Sequence, residues 1–209
     1  MKKLIFLSAI EDESSYLKSY INALKINTEK ILFLAFGVGL FNGIIYLHKR
    51  ISTLSNGRVI LIGTAGIMGE DFIPGKIYQA SSFKLGSVTL AEGKGYIPQG
   101  VYPDIKAKVI QHLPEDIETL PVINTPEITL SEEGAGFLIK RYGICLENLE
   151  SYSIANLFKR NNINLSAFFA VTNKVGILSH KQYLENREFA WKTLGDTISK
   201  ILLSHWNEF

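Results

Sequence analysis

Short apolar runs alternate with longer amphipathic segments along almost the whole of this chain. That alternation constrains the fold more than any single motif does. Buried strands joined by helices settle into a sheet covered on both faces. Residues 4–10, 31–36, 58–62, 76–81, 122–125, 144–146 and 167–172 read as strands. Residues 12–25, 40–54, 103–113, 131–142, 149–160 and 182–205 read as helices. Tyr16, Leu17, Tyr20, Ile21 and Leu24 supply the inner face of the first helix, and Ile44, Ile45, Leu47, His48 and Ile51 that of the second. Ser131 is placed to cap the fourth. Residues 82–102 are glycine-rich and read as irregular. The expectation is a single α/β domain over residues 1–209, a three-layer sandwich with a mixed central sheet flanked by helices.

Composition removes several function classes. With 209 residues, 46% hydrophobic, and a mean hydropathy of +0.13, the chain can bury a substantial core and is not disordered. Its 22 basic and 20 acidic side chains leave a formal charge of +2, without a run of four basic residues. Nucleic acid is therefore not an expected partner. The single cysteine, Cys145, sits between Ile144 and Leu146 and reads as a buried structural thiol in a reducing compartment. Lys2-Lys3 and the apolar run behind it resemble the start of a secretory signal, but Glu11, Asp12 and Glu13 follow at once. No apolar stretch approaches the roughly 20 residues of a membrane helix, so a cytoplasmic protein is expected. His48, His112, His180 and His205 share no metal-ligand spacing, and phosphate-loop and dinucleotide fingerprints are absent. Neither a metal nor a cofactor is expected.

In α/β sheets, ligands gather beyond the carboxyl ends of the strands. Those ends carry Glu11 to Glu13, Gly37 to Asn42, Gly63-Thr64-Ala65-Gly66, Asn124-Thr125 and Thr172-Asn173. The Gly63–Gly66 tetrad is the most informative of them. Small residues closing an apolar run let backbone N–H groups and one hydroxyl approach a ligand closely, and Pro74-Gly75 then opens the next strand.

Three segments in this order resemble the purine nucleoside phosphorylase and nucleosidase superfamily. Ser8-Ala9-Ile10-Glu11-Asp12-Glu13 is similar to the strand-then-acidic opening of the methylthioadenosine/S-adenosylhomocysteine nucleosidases. Gly37-Val38-Gly39-Leu40-Phe41-Asn42 goes with Gly63-Thr64-Ala65-Gly66 and Pro74-Gly75-Lys76-Ile77. Glu147-Asn148-Leu149-Glu150-Ser151 precedes Ala170-Val171-Thr172-Asn173. Within the superfamily, futalosine hydrolases look closest. Their V-N-T, E-N-M-E-G, A-I-S-N and N-R-E-x-W patterns are similar to Ile123-Asn124-Thr125, the two segments just quoted and Asn186 to Trp191, with one residue inserted before the Trp.

The resemblance implies a purine nucleoside as substrate and a role for each matched residue. Glu150 would bind the ribose 2′- and 3′-hydroxyls, although by itself it also reads as a helix first-turn carboxylate. Asn173 would face the purine near N7 and the 6-substituent, suiting a 6-oxopurine; the plain alternative is a strand-end Asn capping a turn. Adenine-specific nucleosidases have an Asp there. Glu13 would direct the attacking water as general base, against a plain reading as a solvated acid at a helix start. Thr64 would hydrogen-bond the nucleophile or sugar, and Leu149 would pack under the ribose where the family has Met. Asn148 joins the binding set or caps a helix. Asn124 and Thr125 are expected to line the base pocket. His180 is placed to touch the base or leaving group or to lie on the surface. Phe83, Phe169 and Tyr183 suit either purine stacking or core packing.

Water is favoured over phosphate as the nucleophile. Phosphorylases of the superfamily hold their dianion with arginines near the first and third strand ends, where this chain has neither Arg nor Lys. Phosphate-dependent phosphorolysis is the alternative. A purine-binding protein without turnover is another, because Ile67, Phe169, Ser151 and Tyr152-Ser153 depart from the family pattern. The family's habit implies a homodimer or larger homo-oligomer.

Overall fold

The first strand shows why the chain folds as it does: in β1 (Lys3–Ser8) every residue after Lys3 is buried, so both its faces must be covered. The structure, a computed structural model, describes residues 3–24, 28–69, 71–111, 113–114 and 117–205. After β1 come α1 (Asp12–Ala23), a 3-10 turn (Thr28–Lys30), β2 (Ile31–Ala35), α2 (Leu40–His48), α3 (Ile51–Ser55) and β3 (Gly57–Ile67). Then follow β4 (Ile77–Leu85), α4 (Val88–Ala91), β5 (Ile105–Lys106), β6 (Glu118–Asn124), α5 (Glu132–Tyr142), β7 (Leu146–Asn148), α6 (Ser151–Arg160), β8 (Leu165–Lys174) and α7 (Ser179–His205).

The eight strands form one mixed sheet in the order β2-β1-β3-β7-β6-β4-β5, with β8 paired to both β3 and β4. β1 runs parallel to β2 and β3, β3 parallel to β8, and β6 parallel to β4 and β7. The β3–β7, β4–β5 and β4–β8 pairings are antiparallel. Strands β3, β8, β4, β6 and β7 therefore close on themselves as a ring, with β1 and β2 extending as a wing from β3 and the short β5 as an edge on β4. Helices on both faces complete the expected three-layer α/β arrangement. On one face Leu17 and Ile21 of α1 meet Ala190, Leu194, Ile198, Ile201 and Leu202 of α7 over Ile60, Ile62, Phe168 and Ala170. On the other, Leu47, Leu54, Ile154, Ala155 and Phe158 pack on Leu61, Ala65 and Phe169. Each large apolar side chain among these contributes about 1.5–3 kcal/mol when fully buried.

Several expectations fail locally. Residues 63–66 do not close a strand; they lie inside β3, which continues to Ile67 because β8 pairs with it from Val59 onward, through a register shift at Ala65/Gly66. Residues 103–113 form no helix. Ile105-Lys106 pairs instead with Phe83 and Ser82, and Ala107 N–H donates to Ser81 O; His112 lies outside the described residues, as does Lys25 at the expected end of α1. The helix expected over 40–54 breaks into α2 and α3, where the Arg50 guanidinium bonds Tyr46 O and stacks on the Tyr46 ring. Ile45 and His48, expected to face inward, are exposed, because Gly43 and Leu47 take the buried stripe. The glycine-rich stretch 82–102 contains the end of β4 and the short α4.

Cys145 is fully buried, its thiol 3.3 Å from Met68 Sδ, and burial pushes its pKa up to about 12. It is an inert core thiol.

Candidate functional site

A cavity of about 240 Å³ opens where β1, β3, β7 and β8 end and α1, α6 and α7 begin. Glu13, Thr64, Asn148, Leu149, Glu150 and Asn173 all line it, so residues far apart in sequence converge as expected.

Glu13 is the one inward member of its acidic run; Glu11 and Asp12 are exposed. Its position in the first turn of α1 aims the carboxylate back at the strand-to-helix bend. There Oε2 accepts from the N–H groups of Ala9 (2.8 Å) and Ile10 (3.3 Å), and Oε1 from Thr64 N (3.1 Å) and Thr64 Oγ1 (3.2 Å). Burial, then the nearby charge of Glu150, lift its pKa from 4.5 to about 7 against these hydrogen bonds. The solvated helix-start reading of Glu13 is thereby excluded.

Glu150 stands at the N-cap of α6, 5% exposed, with Oε1 accepting from Gly39 N–H at 2.9 Å. Gly39 adopts φ +94°, a left-handed conformation that lets this N–H turn toward the cleft. Burial raises the Glu150 carboxyl, opposed by Gly39 N–H, the Asn148 side chain and Leu149 N–H.

Two asparagines hold the start of α6. Asn148 Oδ1 accepts from Glu150 N (3.0 Å) and Ser151 N (2.8 Å), and Asn124 Oδ1 from Tyr152 N (3.1 Å) and Ser153 N (3.4 Å). The orphan donors of the first helical turn are thus satisfied as a set. Asn148 Nδ2 also donates to Thr64 O at 3.2 Å, tying Glu150's anchor to Glu13's. Asn124 is fully buried and does not line the cavity, contrary to expectation, because its amide is committed to α6 and to Thr125 O. Thr125 is likewise buried outside the lining, beside Glu147.

At the other end, Asn173 is 7% exposed. Its Oδ1 accepts from Thr172 Oγ1 at 2.9 Å and its Nδ2 donates to Lys174 O at 3.3 Å. Across the cavity's mouth His180 stacks on Tyr183, ring centroids 6.5 Å apart. Burial and the charge of Glu13 both raise the Tyr183 hydroxyl. Phe83 and Phe169 are core residues away from the cleft. Asn186 holds Thr172 O through Nδ2 at 3.0 Å, and Gln182 accepts Lys174 N–H at 2.9 Å, so α7 fixes the end of β8.

Sequence reasoning missed Glu147, Ile128 and Ser179 as lining residues. Glu147 carried a usable signal, an acidic residue continuing the apolar run Ile144-Cys145-Leu146. No Lys or Arg lines the cavity among the described residues, whereas three carboxyl groups do. Nor, among those residues, do three His, Cys, Asp or Glu side chains gather as a metal site, and no helix is long and apolar enough to cross a membrane.

No protein-family profile and no curated protein matches the sequence. Solved structures do match in fold. A methylthioadenosine/S-adenosylhomocysteine nucleosidase from Helicobacter pylori, with butyl-thio-DADMe-Immucillin-A, superposes with a TM-score of 0.81 at 14% identity, covering 98% of this chain and 99% of that one. Futalosine hydrolase of Helicobacter pylori gives 0.80 at 13% identity over 97% and 98%. The nucleosidase from Neisseria meningitidis, in complex with methylthio-immucillin-A, gives 0.79 at 16% over 98% and 100%. The chain has the nucleoside phosphorylase/nucleosidase fold.

Proposed function

We propose that this protein is a purine nucleoside N-glycosidase that releases the base with water, most like futalosine hydrolase. One observation carries the reading. Two buried carboxylates of separate origin, Glu13 and Glu150, share a cavity with Asn173 and with no cationic Lys or Arg among the described residues, in a fold whose solved examples include nucleosidases.

In this reading Glu150 accepts the ribose hydroxyls, with Gly39 N–H fixing its free rotation. Leu149 packs under the sugar, and Asn148 holds both in place. The C1′–N9 bond breaks as its electron pair moves into the purine, leaving an oxocarbenium-like ribosyl centre. Asn173 donates to N7 and so stabilises the negative charge developing on the departing base. Water forms the new C1′–O bond and gives its proton to Glu13, whose pKa of about 7 suits a general base at neutral pH. The Thr64 hydroxyl is the rotatable one of Glu13's four donors; when it turns to the sugar or the water, an acceptor site opens on the carboxylate.

Phosphorolysis is the second reading. A phosphate dianion among Glu13, Glu147 and Glu150 would be repelled by several kcal/mol at an effective dielectric of about 20. A homodimer or larger assembly goes with the proposal: Val38, Phe41 and Ile45 expose 50%, 73% and 60% of their surface on one side of the cleft.

Glu150→Ala and Asn173→Ala test the site. Loss of base release from inosine or futalosine, by about a hundredfold or more, with unfolding temperatures unchanged within a few degrees, supports it. Unchanged rates in both variants sink it.

A further inference from the structure

The pole of the sheet opposite the cleft holds a second cavity, of about 450 Å³ against about 240 Å³ for the cleft. It lies where β3 and β8 begin, and Ser55, Arg58, Lys108, Asn162, Asn164 and Ser166 line it. Arg58 precedes Thr64 by six residues on β3, about 20 Å along an extended strand, so the two cavities are separate.

Arg58 is out of keeping with its row. Side chains alternate along a strand, and the next two on the Arg58 face are Ile60 and Ile62, both buried beneath α1 and α7. The guanidinium continues this apolar row as a charge. Its Nη1 is buried without a hydrogen-bond acceptor among the described residues, and Arg58 enters no ion pair among them. A lysine in such a place sheds its proton readily; an arginine does not. The charge therefore persists, and an unpaired buried donor is a cost to the fold that an incoming acceptor would relieve.

Lys108 supplies a second charge from a fixed backbone. Ala107 N–H donates to Ser81 O at 3.1 Å, Lys108 N–H to Leu165 O at 2.8 Å, and Ser166 Oγ to Lys108 O at 2.7 Å. The Gln79 side-chain amide brackets Ile110, accepting its N–H at 2.7 Å and donating to its O at 3.3 Å. Among the described residues no Asp or Glu lines this cavity. An adjoining cavity that shares Asn162 and Asn164 adds Lys106 and Lys159, and its one acid among those residues, Asp104, is held by Lys84 at 2.9 Å. Clustered cations without matching acids make this pole attractive to anions, whereas the cleft is lined by carboxyl groups.

Two unneutralised cations match the charge of a phosphoryl dianion. A guanidinium fork takes two of its oxygens and an ammonium takes a third as a point charge. The volume is that of a small-molecule site and exceeds what a bare phosphoryl group fills. Asn162, Asn164 and Ser55 offer donors and acceptors to a hydroxylated carrier. We propose that this cavity binds a phosphomonoester of a sugar or similar polyol, with Arg58 and Lys108 on the phosphoryl group. The site is independent of the chemistry assigned to the cleft.

Isothermal titration tests it with glucose 6-phosphate, inorganic phosphate and glucose, at about pH 7.5, where the phosphoryl group is mostly dianionic, in buffer free of other oxyanions. Wild type is expected to bind glucose 6-phosphate, to bind inorganic phosphate about tenfold more weakly, and not to bind glucose. Lys108→Met and Arg58→Met should each weaken the ester by about tenfold or more. Lys108 is exposed, so its variant reports on the site with the fold intact even where Arg58→Met shifts the melting temperature. Absence of glucose 6-phosphate binding, or an unchanged affinity in a folded Lys108→Met, overturns the proposal. Inorganic phosphate binding as tightly as the ester would reduce the cavity to a bare anion site and overturns it too.

Discussion

Replacing Glu13 by glutamine removes a charge that the folded protein buries at a cost, and the cost can be read as a function of pH. The Glu13 carboxyl is raised from 4.5 to about 7, first by burial and then by the charge of Glu150. The folded state therefore holds this proton more tightly than the unfolded chain, and stability falls as pH climbs through that interval. Below about 4.5 the group is neutral in both states and costs nothing; above about 7 the whole penalty applies. At about 1.4 kcal/mol per pH unit, the penalty reaches about 3 kcal/mol. The substituted amide would keep an oxygen for the Ala9 and Ile10 N–H groups but set an NH2 against Thr64 N–H, a pH-independent offset. The quantity to follow is the unfolding free energy of Glu13→Gln minus that of wild type, from urea titrations between about pH 4.5 and 8. Titrating groups distant from position 13 cancel in this difference. It should rise by about 3 kcal/mol across the window and level off, equivalent to about 6–12 °C in unfolding temperature for a chain of this size. A difference that stays flat, or falls as pH rises, would show that Glu13 titrates as a solvated acid and would refute its burial as the source of its basicity.

Three further outcomes follow from the same geometry. The pH profile of kcat/KM for base release should fall about tenfold per pH unit below about 7 as Glu13 protonates; a profile level down to about pH 5 would exclude it as the base. Gly66→Ala sets a Cβ 2.7 Å from Asn173 Nδ2 and 2.9 Å from Val175 Cγ2, so it should cost about 1–3 kcal/mol in chemical denaturation and weaken base binding more than sugar binding. Asn124→Ala strips the acceptor from Tyr152 N and Ser153 N in a fully buried place, and should cost about 2–4 kcal/mol of stability while raising KM through the loosened Glu150.

The layers of this fold were legible because burial leaves a period in the sequence: β1, β2, α5 and β8 emerge from apolar runs and from caps such as Ser131, whose hydroxyl accepts Gly134 N–H. What failed was decided by pairing. Glycines at 63 and 66 look like the end of a strand, yet β8 carries β3 through them, and their smallness serves the carboxylate of Glu13 and the amide of Asn173 that press against them. Residues 103–113 mix helical and strand spacings, and only the contact with β4 settles which is used. At the site, the types and order of Glu13, Thr64, Glu150 and Asn173 were visible. Asn124 was not readable as a helix support, since an asparagine bonding N–H groups 28 and 29 residues away leaves no local trace. Glu147 left a local trace as an acidic residue closing an apolar run, but that trace does not say what it faces. Its partner Thr129 lies 18 residues back in sequence, and its row with Gly66 and Asn173 exists only once three strands pair.

The most direct test of the account is release of hypoxanthine from inosine or futalosine by the purified protein, with and without inorganic phosphate, reading the sugar product. The account predicts phosphate-independent release accompanied by the free sugar, because water is activated at Glu13 in a cavity whose carboxylates exclude a dianion. Release that requires phosphate and yields a sugar 1-phosphate would contradict it.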